Sequence, residues 1–78
     1  KRLGRSTIIL CNCCDVHTLG FKRSLDLAFV DKYGRAIKVV RSFRPWSRCK
    51  CKGASYVVER YECRNKPWLI EGEYYEMP

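Results

Sequence analysis

The chain has 78 residues, with 16 Lys and Arg against 8 Asp and Glu, six Cys, one His and 46% hydrophobic residues. A chain of this length makes a single domain that buries only about 60% of its unfolded surface, and its apolar and aromatic content excludes a disordered basic tail. No apolar run approaches the roughly 20 residues that span a bilayer, and Ser6–Cys11 is too short and polar-edged for the core of a signal peptide.

Lys1–Arg5 is polar and reads as a loop. Ser6–Cys11 is β-branched and apolar, which predicts a strand. Asn12–Gly20 has no clean period and reads as a loop or a short helical turn ending at Gly20. Leu25–Asp31 carries the strongest strand signal, with Leu25, Leu27 and Phe29 alternating with Asp26, Ala28 and Val30. Asp31-Lys32-Tyr33-Gly34 supplies an Asp to open a turn and a Gly for positive φ. Arg35–Phe43 then returns as the second strand of a central hairpin. Pro45 removes a ladder donor and breaks the pattern, so the basic stretch to Gly53 reads as a loop. Ala54–Tyr61 reads as a strand or a short helix that docks Tyr56. After a second break at Asn65-Lys66-Pro67, Trp68-Leu69-Ile70 is an apolar anchor, and Glu71-Gly72-Glu73 a tight turn into a last strand, Tyr74–Met77. The expected class is α+β but mostly β: a small barrel-like or sandwich-like antiparallel sheet with a central hairpin and little helix.

A net charge of +8 implies attraction to anionic macromolecules or surfaces. The charge is uneven: Arg41, Arg44, Arg48, Lys50 and Lys52 fall in a stretch without acids, whereas Glu71, Glu73 and Glu76 fall in one without bases. Interleaved with Trp46, the basic stretch has the elements of a nucleic-acid surface, phosphate contacts plus a stacking ring. The simpler reading is two faces that neutralise each other across the fold, with Trp46 plugging the core under the loop.

The cysteines fall at Cys11, Cys13, Cys14, Cys49, Cys51 and Cys63. They are compatible with free buried thiols, with disulfides, or with zinc held by Cys11, Cys13, Cys14, Cys49 and Cys51. The Cys-x-Cys spacing fits structural zinc poorly, so no cofactor is the first expectation. Phosphate-binding loops, dinucleotide fingerprints, zinc-protease motifs and nucleophile elbows are absent. A Cys14–His17 nucleophilic pair rests on sequence proximity alone, and the chain reads as a binding protein before an enzyme.

The segment Cys13-Cys14-Asp15-Val16-His17-Thr18-Leu19-Gly20-Phe21, followed by Leu25–Arg35, resembles the bacterial and archaeal family called domain of unknown function 192. Arg44-Pro45-Trp46, Gly53–Glu59 and Leu69–Glu73 are similar to later motifs of that family, so the resemblance runs over residues 8 to 77. Phe21 and Ser24 stand where the family usually has Met and Pro, and the family's N-terminal part is short or missing. The resemblance implies a compact β-rich domain, residues 1–78, of the kind often exported, although the chain's own thiols favour the cytoplasm.

The resulting expectation is a non-enzymatic binding or accessory module. A polar pocket near the His17 loop would take a small anion or a sugar, with His17, Thr18 and Asp26 as floor and Arg44 and Trp46 as wall. Asp26 has a structural alternative, pinning a loop by accepting backbone hydrogen bonds. The competing expectations are a nucleic-acid surface on Arg41, Arg44, Arg48, Lys50 and Lys52, and a zinc- or disulfide-stabilised domain. An exposed sheet edge would favour homodimerisation.

Overall fold

The computed structural model of the chain describes residues 8–11, 15–17 and 22–76. Six strands follow in order: β1 (Ile8–Cys11), β2 (Asp15–His17), β3 (Leu25–Val30), β4 (Ala36–Phe43), β5 (Arg48–Lys50) and β6 (Tyr56–Tyr61). β1, β6, β3 and β4 form one antiparallel sheet in that order, and β2 pairs with β5 in a second, two-stranded ribbon. The sheets do not close into a barrel, and the described residues contain no helix.

The hairpin forms as its turn chemistry dictates. Asp31 Oδ1 accepts hydrogen bonds from the Tyr33 and Arg35 N–H groups at 2.9 and 3.0 Å, and Gly34 takes φ +87°. A residue with a Cβ pays for that left-handed backbone, and glycine does not.

β3 is buried along its whole length because both of its faces are covered. Ala28 and Val30, with Ala36 and Val58, pack under Trp68, Leu69 and Tyr75 of the C-terminal segment. Leu25, Leu27 and Phe29, with Val57, pack under Val16, Cys49 and Cys51 of the ribbon side. The domain is therefore three layers: C-terminal segment, four-stranded sheet, ribbon. Burying side chains such as Leu27 and Phe29 contributes about 1.5–3 kcal/mol each. The C-terminal segment is tied across the turn end of the hairpin, where Gly72 N donates to Ala36 O at 2.7 Å, Ala36 N to Glu73 O at 2.8 Å and Tyr75 N to Gly34 O at 2.8 Å.

The central hairpin and the anchor–turn at 68–73 match the sequence reading, and residues 54–61, read as a strand or a short helix, contain the strand β6 at Tyr56–Tyr61. Three elements differ. Residues 15–17 form a strand instead of a loop or helical turn, because the apolar Val16 is drawn into the core opposite Cys49. The basic stretch likewise contains a strand, β5, after its Pro45 break. The final strand shrinks to one bridge between Tyr74 and Arg35; Ser6, Thr7 and Met77 lie outside the described residues.

Candidate functional site

The sequence places Asp26 in the middle of an apolar strand, and the structure buries it completely, at 0% exposure. The β3–β4 register slips between the Leu25–Phe43 and Leu27–Val40 pairs, so two residues, Arg41 and Ser42, face the single Asp26. Ser42 takes a left-handed φ of +57° at this bulge. The bulge re-aims the backbone, as bulges do: Ser42 N–H and Arg41 Nε both donate to Asp26 Oδ1, at 3.2 and 2.9 Å. Oδ2 accepts from Arg60 Nε at 3.0 Å and from Cys63 N–H at 3.2 Å. Burial alone would push the carboxyl up, but the bonds from Arg41 and Arg60, then those from Ser42 and Cys63, outweigh it and hold Asp26 below its ordinary value.

Arg60, directly opposite Asp26 on β6 and 7% exposed, also donates to the carbonyls of Pro67, Cys63 and Lys66 at 2.9, 3.1 and 2.9 Å. Its guanidinium lies 4.6 Å from the Trp68 ring centroid, and Trp68 Nε1 donates to Leu27 O at 3.1 Å. One carboxylate and two guanidiniums thus hold the 62–67 loop and the C-terminal segment against the sheet. Asp26 belongs to this cluster, and no contact joins it to His17. The sequence did not single out Arg60; its one signal is the cross-strand pairing with Asp26, visible only once the register is known.

His17 lies on β2, on the outer face of the ribbon. Alternation turns Val16 and Cys49 inward and leaves Asp15, His17, Arg48 and Lys50 outward, in the register Asp15–Lys50 and His17–Arg48. Arg48 grips Asp15 with Nε at 3.1 and 3.2 Å and Nη2 at 2.6 Å, while His17 Nε2 stands 3.5 Å from Asp15 Oδ1. The Arg48 hydrogen bonds hold Asp15 below its ordinary value, and Asp15 in turn raises Arg48. Thr18, Cys13 and Cys14 lie outside the described residues. Cys49, Cys51 and Cys63 are free thiols, and the described residues gather no group of three metal-ligating side chains.

The turn that leads into β5 is unusual. Pro45 and Trp46 occupy its corner, and Trp46 has φ +58°, a conformation that a turn normally gives to Gly or Asn. Its side chain is 70% exposed, so Trp46 is no core plug. Arg44, Arg48, Lys50 and Lys52 are all exposed on either side of it, whereas Arg41 is drawn away to Asp26. Of the five basic residues expected to contact an anion, Arg44, Lys50 and Lys52 are exposed near Trp46 in sequence, Arg48 is paired with Asp15, and Arg41 serves the ion cluster.

No family model matches the chain, and neither a curated protein nor a solved structure matches it.

Proposed function

We propose that this domain is a non-enzymatic binding module for single-stranded nucleic acid. Its contact surface would be the Pro45-Trp46 turn with the outer face of β5 and the lysine that follows it. Lys50 and Lys52, together with Arg44, would meet phosphates, and the Trp46 ring would stack on a base, while Arg48, held by Asp15, braces the ribbon.

The observation that carries this reading is Trp46 itself. A left-handed backbone costs a bulky residue about 1–2 kcal/mol, and a ring that is 70% exposed recovers little of it by burial. Strain held at an exposed aromatic, among cations, marks a contact residue in preference to a packing one. The inner face of the ribbon supports it: Val16 and Cys49 anchor β2 and β5 in the core, so the cations stand on a fixed platform. Kinship belongs to the same proposal. The motifs from Cys13 to Glu73 align the chain with domain of unknown function 192, whose role is unassigned, so the binding reading rests on this chain's own surface.

The experiment is a fluorescence-anisotropy titration of a labelled oligothymidylate with the parent chain and with Trp46→Ala. Loss of a stacking ring weakens binding by about 1–3 kcal/mol, while thermal stability stays the same, because the ring is 70% exposed and Ala keeps the Cβ of the left-handed turn. Undiminished binding by Trp46→Ala, or equal affinity for an uncharged polymer, would count against the proposal.

A further inference from the structure

A second feature stands apart from the ribbon, at the end of the sheet where Leu25, Phe43 and Tyr61 come into register. A cleft of about 280 Å³ opens there, lined by Arg23, Arg60, Tyr61, Glu62, Cys63 and Lys66. Its charges are not equivalent. Arg60 is committed to Asp26 and to three loop carbonyls, so it acts as the rear wall. The Glu62 carboxylate accepts from Arg64 Nε at 3.1 Å, which offsets its charge. Two cations remain. Arg23 lies over the Tyr61 ring, its Cζ 4.2 Å from the centroid, and no carboxylate among the described residues pairs with it or with Lys66.

The contact matters. A guanidinium is a planar fork that can meet two oxygens of one anion, and a ring 4.2 Å from its carbon restricts the positions it samples. A lysine ammonium lining the same cleft adds a mobile point charge, and the cleft is large enough for a tetrahedral oxyanion but small for a nucleoside. The loop that carries Lys66 is itself fixed, because Arg60 and Arg41 clamp its Cys63 carbonyl at 3.1 and 3.2 Å.

We propose that the Arg23–Tyr61–Lys66 cleft is a binding site for a phosphate group, either free phosphate or the terminal phosphate of a larger molecule. Arg23 would clasp two oxygens, Lys66 a third, and the Tyr61 ring would hold the guanidinium over the cleft. The site is independent of Trp46 and does not need the strand-binding proposal to hold.

The test uses the 78-residue chain, isotopically labelled for backbone amide NMR. Inorganic phosphate is added at constant ionic strength against chloride, with the amides of Arg23, Tyr61, Cys63 and Lys66 observed. The expected result is a saturable shift of these amides, with protection of Cys63 from alkylation read by peptide mass mapping. Arg23→Ala with Lys66→Ala, both exposed positions, should lose the shift at least tenfold in affinity while the rest of the spectrum is unchanged. Trp46→Ala should keep it. A parallel titration compares a 5′-phosphorylated oligonucleotide with its 5′-hydroxyl counterpart: preference for the phosphorylated end identifies a terminal phosphate as the source, and equal affinity identifies free phosphate. Absence of a saturable shift with both inorganic phosphate and the phosphorylated end overturns the proposal, as does an unchanged shift in the double variant.

Discussion

Replacing Asp26 by Ala is a severe single change on the sheet. It removes a carboxylate that accepts from Arg41, Arg60 and two backbone N–H groups, and it strands the buried Arg60 guanidinium without a counter-charge. Breaking one partner out of a buried pair costs about 3–5 kcal/mol. A domain of this size holds about 4–12 kcal/mol in total, so the variant keeps little reserve. At about 4–8 °C per kcal/mol, the melting temperature falls by about 12–40 °C. Urea denaturation followed by circular dichroism, on the parent, Asp26→Ala, Arg60→Ala and the double variant, measures both the cost and the coupling. The two side chains share hydrogen bonds, so the double variant should cost clearly less than the sum of the singles. A loss under about 1 kcal/mol for Asp26→Ala, or strict additivity, refutes the cluster as the device that holds the 62–67 loop.

The remaining predictions concern pH, the bulge and the surface cations. The Asp26 pKa is depressed on folding, so its contribution is complete above the unfolded value of about 3.9 and is lost as pH falls toward the folded value; Asp26→Ala should flatten that acid limb of a melting-temperature profile. Glu59, 7% exposed, has no hydrogen-bond or ion-pair partner among the described residues, and burial raises its pKa. Its contribution is therefore complete below the unfolded value of about 4.3 and lost as pH rises through the folded one. Glu59→Gln should match the parent in mild acid and exceed it in melting temperature at pH values well above that folded value. At Ser42, Gly should hold or raise stability because the left-handed backbone is then unstrained, whereas Pro, lacking the N–H and unable to reach φ +57°, should destabilise by about 3 kcal/mol or more in the same urea assay. Lys50→Ala with Lys52→Ala should leave folding unchanged and weaken oligonucleotide binding.

The hairpin and the C-terminal anchor were legible because each carries its own local signal: period-two alternation with an Asp and Gly at the turn, and an aromatic–aliphatic run after Pro67; β6 was left between strand and short helix, because Val57-Val58 between aromatics fits either. β2 and β5 were not, because three residues cannot display a period and each has a single inward side chain, Val16 or Cys49. A strand that exists only because its partner exists leaves no mark in its own residues. Asp26 was legible as a carboxylate needing partners, including the alternative in which it accepts backbone N–H groups. Its guanidinium partners depend on the β3–β4 bulge and the β3–β6 register, which are properties of pairing. Trp46 was read with the basic loop, but its positive φ and exposure, which decide between plug and contact residue, are conformational facts.

The central claim is that Trp46 and its flanking cations bind a single strand through phosphates and a base. The direct measurement is the affinity for oligothymidylate across a salt series, read as the slope of log affinity against log salt. Engagement of Arg44, Lys50 and Lys52 predicts a slope of about −2, at about 0.7 per phosphate on a single strand. Trp46→Ala should lower the affinity at every salt concentration and leave the slope unchanged, and Lys50→Ala with Lys52→Ala should make the slope shallower. An affinity independent of salt, or one that Trp46→Ala leaves intact, would contradict the account.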